Sequence, residues 1–521
     1  MKKIIVLLAV ITTMCSAMNC YTAPAKAIEA VTYTEYNQQK QNEKEFPDPD
    51  AMYTEVTEND LVFHVYDDYA FLYDCKDHSV TEVTIPDTVA GVQVIGAVDS
   101  PFGFCRNLTT IILPDTFQYF EWFDLSCTTI VRVGSTDSDP VPSVSEIVVS
   151  ETNPYYTVYD GMLYSKDMKT LVGCPPAMDI KQLRISSETE RIGDYAFCCT
   201  KLETAVIPSN IKHINNSAFA GCENLVSVEL PESITSISGD MFYLCESLSE
   251  VTFNGKIERI GYGAFNECKS LTKFVIPETV NYIGANAFEN SGCIENENGV
   301  HYIDKWVVGS DDDIRTAKIK ENTVGIAELA FFGKRKLEFL DIPESVKYIG
   351  DIVFTGLTGV QSTINYRCSY IGERTLVSAK TATDIYIYDS ECEIFDSEKT
   401  IPAVYKYSKS VDDFLQDITV TSLDDDIVTG DVVIHGYAGS TAQAYAEKYD
   451  RKFEVIEKES VSGDVNNDGK FNIADVVMLQ KYLLNVPEIK LDNWKSADLC
   501  KDGRLDVFDL CMMKKMLISE K

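Results

Sequence analysis

The chain has 521 residues, 45% of them hydrophobic, and a formal net charge of −35 at pH 7. This length allows several ordinary domains, or a long repeat array with a small module attached. So large an acidic excess repels phosphate backbones and anionic lipid surfaces, which argues against nucleic-acid binding and against membrane insertion.

The first residues have the pattern of a secretory signal peptide. Two lysines precede an apolar run over residues 4–10, and the small residues Ala25 and Ala27 follow it. We predict that residues 1–27 are removed and that the mature protein is secreted. Lipidation at Cys20 is the alternative, but residues 17–19 before it match a lipidation site poorly. No later stretch approaches the ~20 apolar residues of a transmembrane helix.

An Ile followed five residues later by a Phe recurs through the middle of the chain. The Phe positions are spaced by 22, 23, 23, 23, 43 and 23 residues. The pairs are Ile192/Phe197, Ile214/Phe219, Ile237/Phe242, Ile260/Phe265, Ile283/Phe288, Ile326/Phe331 and Ile349/Phe354. Most copies continue into a segment such as 225–230, whose first, fourth and sixth residues are apolar, the strand signature of a leucine-rich repeat.

One such unit cannot bury its apolar side alone, so stacking of units is required. We predict parallel strands, with Ile, Phe and Leu ladders pointing inward and Phe219, Phe242, Phe265 and Phe288 stacked in a buried row. The strand signature is also expected at Leu271–Ile276.

The pattern Ile-Gly-x-x-Ala-Phe-x-x-Cys-x-x-Leu, complete at residues 260–271, closely resembles the BspA-like leucine-rich repeats of bacterial surface proteins. The resemblance covers about residues 60–456 and implies a mainly β leucine-rich-repeat solenoid with repeats of about 23 residues. It implies binding or adhesion rather than a reaction. Ser440 is expected to cap a short helix in the closing segment.

We therefore divide the chain as follows: signal peptide 1–27, N-terminal cap region 28–78, leucine-rich repeats with hairpin insertions 79–360, diverged repeats and C-terminal cap 361–456, linker 457–462, and a C-terminal module 463–521. The insertions begin at the turn dipeptides Asp160–Gly161 and Asn298–Gly299 and continue as alternating strands, so both are predicted to be β-hairpins. They could serve as ligand contacts or as structural extensions.

Cysteine recurs at one repeat position, at Cys222, Cys245 and Cys268. Because cysteine is small and often buried, we predict a ladder of packed thiols, with disulfides as the alternative.

The five histidines are scattered, and none lies in a zinc-like spacing or a nucleophile motif. No block of catalytic-domain size remains once the array and the tail are assigned, so we predict that the protein is not an enzyme. The target of the array is left open as a protein or a glycan. Only Phe339 is aromatic among twelve outward strand positions, which disfavours a sugar platform.

Two loops in the tail have the spacing of a calcium site. Residues 464–475 place oxygen side chains at loop positions 1, 3, 5, 9 and 12, with Gly469 at position 6 for the sharp turn. The frame recurs 34 residues later at 498–509, and each loop runs into an amphipathic segment with helical periodicity. This duplicated loop-helix form, without leading helices, resembles a type I dockerin.

The resemblance implies two bound calcium ions. The first set of ligands would be Asp464, Asn466, Asp468, Lys470 through its carbonyl, Asn472 and Asp475, and the second would be Asp498, Asp502, Arg504 through its carbonyl, Asp506 and Asp509. Cys500 stands where the family has Asn or Asp, and sulfur is a poor ligand for calcium, so we expect a weaker second site.

The resemblance also implies a partner, the cohesin module of a scaffoldin. The family's contact positions correspond to Ile473, Ala474, Gln480 and Lys481 in the first copy and to Val507, Phe508, Lys514 and Lys515 in the second. Because Phe508 against Ala474 differs by an aromatic ring, we predict that the second copy dominates binding.

The expected function is that of a secreted, non-catalytic component of a cellulosome-type assembly, held at the cell surface through a scaffoldin. Its array would be a recognition or structural module. The alternative is an adhesion or carbohydrate-binding protein displayed on the assembly.

Overall fold

The structure is a computed structural model, and it describes residues 52–119, 143–357, 364–366, 368–373, 375, 384–398, 400–401, 404–407, 427–456, 461–466, 470–491 and 493–519. The chain forms two compact units. The array unit runs to Ile434 and includes 440–453, and the C-terminal unit holds 435–439 and residues from 454 onward. The predicted signal peptide, most of the linker and Asp468 lie outside the described residues.

The N-terminal part of the array unit is a small sheet that leads into the first parallel strands. Its strands are β1 Thr54–Glu58, β2 Leu61–Val65, β3 Tyr69–Cys75, β4 Glu82–Thr84, β5 Thr88–Val89, β6 Val92–Ala97, β7 Thr110–Leu113 and β8 Glu146–Val149. β1, β2 and β3 are antiparallel, whereas β4, β7 and β8 run parallel. Phe63 and Leu72 are fully buried between them.

Short strands repeat through the rest of the array unit. Those in its first half are β9 Tyr156–Tyr159, β10 Met162–Ser165, β11 Thr170–Gly173, β12 Arg191–Ile192, β13 Thr204–Val206, β14 His213–Ile214, β15 Ser227–Leu230, β16 Ser236–Ile237, β17 Glu250–Phe253, β18 Arg259–Ile260 and β19 Tyr282–Ile283. Those that follow are β20 Glu295–Glu297, β21 Val300–Ile303, β22 Trp306–Ser310, β23 Thr316–Lys318, β24 Gly325–Ile326, β25 Phe339–Asp341, β26 Tyr348–Ile349, β27 Ile364–Tyr366, β28 Tyr370–Ile371, β29 Asp384–Ile387, β30 Glu393–Ile394, β31 Val404–Tyr407, β32 Ile427–Asp431, β33 Val433–Gly436 and β34 Lys452–Val455.

Two parallel ladders confirm the predicted solenoid. In one ladder β13, β15 and β17 pair in register, with Ala205 opposite Val228 and Val228 opposite Val251. In the other, β16, β18 and β19 pair so that Ile260 lies between Ile237 and Ile283. Partners in both ladders are about 23 residues apart, so successive repeats contribute successive strands to each ladder.

Glycine after the ladder Ile lets successive repeats approach closely. A Cβ on Gly261 would lie 2.7 Å from the Gly239 nitrogen, and one on Gly284 would lie 2.5 Å from the Tyr262 nitrogen. Any side chain at these positions would force the neighbouring backbone away.

The predicted row of phenylalanines is confirmed. The ring centres of Phe219 and Phe242 are 5.7 Å apart, those of Phe242 and Phe265 are 5.4 Å apart, and those of Phe265 and Phe288 are 5.2 Å apart. Phe197 extends the row by one ring. All five side chains are fully buried, so the row is a continuous core that runs through the repeats.

One predicted strand is absent from the described structure. Residues 271–276 keep the expected burial, with Leu271 and Ile276 inside, but form no ladder. Phe274 occupies the position that Val228 and Val251 hold in the preceding strands. Its ring turns toward the phenylalanine row and lies 5.0 Å from the Phe265 ring centre, and this larger side chain accompanies the loss of pairing.

The two insertions are β-hairpins, as predicted, and each one joins the array through a third strand. β11 follows the first hairpin and pairs in parallel with β12, and β22 does the same with β24. Tyr164 and Tyr302 on the hairpins are fully buried. This integration favours the structural interpretation of the insertions over that of free ligand-binding arms.

The repeated cysteines form the predicted thiol ladder. Cys245 donates to the carbonyl of Phe219 at 3.1 Å, and Cys268 donates to that of Phe242 at 3.2 Å. Cys222 makes the same bond to Phe197. Burial raises the pKa of the Cys245 and Cys268 thiols, which keeps them protonated as donors.

Helices are few and short in the described residues. They are α1 Thr441–Lys448, α2 Ile473–Leu483, α3 Trp494–Ala497 and α4 Val507–Ser519. Ser440 accepts from the Gln443 nitrogen at 3.3 Å, which confirms the predicted cap of α1. α3 was not predicted.

The C-terminal unit has its own small core, built where α2 and α4 pack together. Val476 and Leu479 of α2 meet Leu510 and Met513 of α4, with Val465 beside them. The apolar faces predicted from helical periodicity are therefore the packed faces.

Candidate metal loops and docking surface

A buried carboxylate closes the first loop. Asp475 lies at the start of α2 and is fully buried, and its Oδ1 accepts the backbone N–H of Val465 at 3.1 Å and of Asn466 at 3.3 Å. Its Oδ2 accepts the N–H of Asn472 at 2.8 Å. The two ends of the loop are thus held at one side chain. Asp464, the first predicted ligand, is also buried.

The second loop repeats this closure with one change of chemistry. Asp509 is fully buried, its Oδ1 accepts the backbone N–H of Cys500 at 3.2 Å, and its Oδ2 accepts that of Asp506 at 3.0 Å. The Cys500 thiol then adds a third bond, from Sγ to Asp509 Oδ1, at 3.0 Å. Cys500 occupies the place of Asn466 in the first loop.

The thiol and the carboxylate shift each other's pKa. Donation to Asp509, together with the negative charge of Asp502, raises the pKa of Cys500 to about 11. Burial alone would raise the pKa of Asp509, but the Cys500 thiol and the backbone N–H donors outweigh it and hold that pKa below its usual range.

The entrance of the second loop gathers three possible ligands. Asp498, Cys500 and Asp502 each place one ligand atom within 4.8 Å of the others. The Asp498 carboxylate also accepts the N–H groups of Asp502 at 3.1 Å and Gly503 at 2.8 Å, which curls the loop around it. The structure therefore brings the predicted ligands Asp498 and Asp502 together, with a sulfur beside them.

The donor sets of the two loops fit calcium differently. In the described part of the first loop, Asp464, Asn466, Asn472 and Asp475 offer oxygen, the ligand that calcium requires. In the second loop a thiol stands among the carboxylates, and sulfur is a soft ligand that suits calcium poorly.

The predicted partner-binding residues all lie on the surface. The eight exposed residues are Ile473, Ala474, Gln480, Lys481, Val507, Phe508, Lys514 and Lys515. Three are apolar side chains at the start of a helix: Ile473 is 67% exposed, Val507 61% and Phe508 70%. Large apolar side chains that are this exposed are typical of an interaction site.

Sequence reasoning missed a groove beside the second loop. It has a volume of about 440 Å³ and is lined by Cys500, Asp502, Phe508, Cys511, Met512 and Lys515. Four of these residues lie at helical spacing along one face of α4, so periodicity was the signal that could have found it.

Sequence reasoning also missed an aromatic row on the array. Tyr282, Tyr348 and Tyr370 each precede a ladder Ile and are partly exposed. The Trp306 and Tyr348 rings are stacked, with centres 6.0 Å apart, and the Arg259 guanidinium lies 3.9 Å from the Tyr282 ring centre. The twelve outward positions predicted in the longer strand segments are all at least partly exposed, as expected.

Acidic side chains lie beside this row. The Tyr282 hydroxyl donates to Glu328 Oε2 at 2.8 Å and lies 3.4 Å from Asp351 Oδ2. Burial, with the neighbouring charge of Glu328, raises the pKa of Asp351 to about 6. The row is thus both aromatic and acidic.

Two family models match the chain. Residues 190–307 and 309–398 match the BspA type leucine rich repeat region in six copies, and residues 462–518 match the dockerin type I domain. The chain therefore carries BspA-type repeats followed by a type I dockerin domain. A comparison with curated proteins gave no match.

Three solved structures are similar to the array. A leucine rich cell surface protein from Faecalibacterium prausnitzii A2-165 is 18% identical, covers 67% of this chain and 97% of its own, and has a TM-score of 0.27. A leucine-rich repeat protein from Bacteroides ovatus ATCC 8483 is 17% identical, covers 77% and 100%, and has a TM-score of 0.30. The pneumococcal vaccine antigen PcpA is 16% identical, covers 78% and 100%, and has a TM-score of 0.25.

Of the helices in the described part of the chain, none combines the length and the apolar character that crossing a bilayer requires.

Proposed function

We propose that this chain, an array of BspA-type repeats with a type I dockerin domain, is a secreted, non-catalytic component of a cellulosome-type assembly. Its dockerin binds a cohesin on a scaffoldin, and calcium is needed for that binding. The protein acts outside the cell and is held at the cell surface through the scaffoldin.

The exposed apolar side chains of the C-terminal unit carry this proposal. Ile473 projects from the first loop-helix unit, and Val507 and Phe508 project from the second, all of them more than half exposed. Lys514 and Lys515 lie on the same helix as the second pair. An apolar anchor with a polar rim is the usual composition of a protein-binding hot spot.

Calcium dependence follows from the buried carboxylates. Asp464 and Asp475 in the first loop and Asp509 in the second are buried with the loop closed around them. At the second loop the carboxylates of Asp498 and Asp502 also lie within 4.8 Å of each other, and like charges at that distance repel unless a cation binds between them. The ion would therefore hold the first loop, and more weakly the second, where Cys500 replaces an oxygen ligand. It would thereby stabilise the start of each helix that carries the predicted docking residues.

The array is proposed to be the recognition or structural module of this component. Its excess of acidic residues on exposed strand positions, such as Glu229 and Glu250, favours a protein target with basic groups.

A glycan target is the second candidate, and the row of Tyr282, Tyr348 and Tyr370 favours it. Partly exposed aromatic rings beside carboxylates can stack on and hydrogen-bond to sugars. A glycan-array screen with the full chain tests this candidate. Binding that is lost in Tyr348→Ala and kept in Phe339→Ala would locate the sugar on this row.

Cohesin binding tests the main proposal. The full chain, kept reduced, is titrated by calorimetry against a panel of type I cohesins in calcium and again in excess chelator. We expect at least one cohesin to bind in calcium only. The double variant Asp464→Ala/Asp498→Ala should lose this binding, whereas Asp341→Ala, an exposed carboxylate of the array, should keep it. A full chain that binds no cohesin in calcium would contradict the proposal.

A further inference from the structure

We propose that the second loop of the dockerin is a site for a thiophilic divalent cation, zinc, held by Asp498, Cys500 and Asp502. This inference rests on the proposed function only in taking residues 498–509 as a cation-binding loop.

The ligand atoms already converge on one place. Those of Asp498, Cys500 and Asp502 lie within 4.8 Å of one another, and Cys500 Sγ lies 3.9 Å from Asp498 Oδ1. Asp509 Oδ1 lies 3.0 Å from the same sulfur. One sulfur and two carboxylates provide three ligands of the tetrahedral coordination that zinc adopts in proteins, and Asp509, which accepts from the same sulfur, is the candidate for the fourth.

The first loop shows what the second has lost. Asn466 offers an amide oxygen where the second loop has the Cys500 sulfur, and both residues bond through their backbone N–H to the closing aspartate. The two loops share this closure but differ in donor chemistry. Oxygen-only loops suit calcium, whereas a thiolate selects zinc over calcium.

Among the described cysteines, Cys500 is one of two that are exposed. The thiols of the array ladder are buried and bonded to backbone carbonyls, so a cation in solution does not reach them. Cys511 is the other exposed cysteine and lines the same groove, but it is not one of the three clustered ligands. It therefore provides a matched control.

Binding exchanges a proton for the metal and changes no oxidation state. The S–H bond of Cys500 breaks, a sulfur–zinc bond forms, and the proton that the thiol had directed at Asp509 leaves to the buffer. Asp509 is then free to turn its Oδ1 lone pair to the cation. Because Phe508 precedes Asp509 directly, the ion that fills this loop also fixes the exposed ring of the docking surface.

The test uses the full chain, kept reduced, with calcium in excess so that the first loop is loaded. Zinc is titrated by calorimetry, and cobalt(II) is used as a spectroscopic probe because a thiolate ligand gives it a sulfur-to-metal charge-transfer band. We expect one zinc ion to bind in the presence of calcium, with the band present. Cys500→Ser should abolish the band and weaken zinc binding more than about tenfold.

Two further variants complete the test. Cys500→Asn copies the first loop and should lose zinc binding while it gains calcium binding, which also shows that the loop still folds. Cys511→Ser should leave the band and the zinc affinity unchanged. Unchanged zinc affinity in Cys500→Ser, or a band that disappears in Cys511→Ser, would overturn the assignment. Cohesin affinity in zinc-free calcium buffer reports on the proposed function alone, so the failure of either idea is recognised separately.

Discussion

The array and the C-terminal unit are both built by repetition, but they repeat different things. In the array the repeated residues are the buried ones, such as Phe242 and Cys245, and their copies make identical contacts one repeat apart. In the C-terminal unit the closing aspartates repeat, whereas the predicted ligand and docking positions diverge, as Asn466 to Cys500 and Ala474 to Phe508. Repetition of buried residues extends one core along the array. Divergence at the predicted ligand and docking positions makes the two loop-helix copies chemically different.

The largest change in the free energy of unfolding is expected from a substitution in the phenylalanine row. Phe242→Ala removes a fully buried ring that is stacked between two others, and it should lower the free energy of unfolding by about 3 to 5 kcal/mol. Phe508→Ala is the matched control, because that ring is exposed, and it should change stability by less than about 0.5 kcal/mol. Chemical denaturation measures both. Equal changes would show that the row is not the core.

Removal of calcium should affect the stability of the C-terminal unit but not that of the array unit. Binding to the folded state alone adds about 4 kcal/mol at a free concentration 1,000 times Kd, so chelation should loosen the C-terminal unit by up to that amount. The array has a core of its own and should not respond. Hydrogen exchange of the full chain measures both units at once, with faster exchange expected in 470–491 and 493–519 only. Unchanged exchange there after chelation would contradict a calcium-dependent fold.

The two loop-helix copies should contribute unequally to cohesin binding. Phe508→Ala removes an exposed aromatic ring and should weaken binding by about 2 to 3 kcal/mol, whereas Ile473→Ala in the first copy should cost less than about 1 kcal/mol. Calorimetric titration of each variant with the same cohesin gives the two losses. Equal losses would show that both copies bind in the same way.

The smallest effect concerns a carboxylate in the array. Burial raises the pKa of Asp240 to about 6, above its ordinary value of 3.8. The folded state therefore holds this proton more tightly than the unfolded state, and the ionised group destabilises the fold above about pH 6. Stability from this group should rise as pH falls from 7 to 4.

Asp240→Asn tests that pH dependence. It should raise the free energy of unfolding at pH 7 by about 1 to 2 kcal/mol and have little effect at pH 4. Asn is also well suited to the left-handed backbone at this position, where φ is 50°. Asp341→Asn, at an exposed strand position, is the control and should change neither value. A gain in Asp240→Asn that is the same at both pH values would show that burial of the charge is not its cause.

Much of the array could be predicted because its repeats share one pattern of apolar residues. The Phe row depends on an Ile–Phe spacing that the sequence displays seven times, and the thiol ladder on a cysteine that recurs three times at one position of that frame. The loss of pairing at Phe274 could not be predicted in this way, since it depends on where one large ring turns. The pairing of each hairpin's following strand with the array could not be predicted, because its partner strand lies about 20 residues further along the chain.

The C-terminal unit was predictable in its loops but less so in its surface. Loop spacing predicts Asp475 and Asp509 as the last ligands, and that role stays a prediction. Their bonds to backbone N–H groups, which close the loops, could not be read from the spacing because they follow from the fold. α3 was missed because four residues carry no helical period. The groove at Cys511 and Met512 could be predicted only in part: helical spacing places its four α4 residues on one face, but the approach of Cys500 and Asp502 to that face depends on the fold of the loop.

The thiol ladder gives the array a simple rule for changing its length. Each cysteine meets the carbonyl of the phenylalanine in the preceding repeat, at Cys245 with Phe219 and again at Cys268 with Phe242. If one whole repeat were excised, the next thiol would face the same chemical group at the same spacing. Gain or loss of a complete repeat by unequal recombination within this ladder therefore preserves the thiol–carbonyl contact, and the number of repeats can change without any change in the dockerin domain.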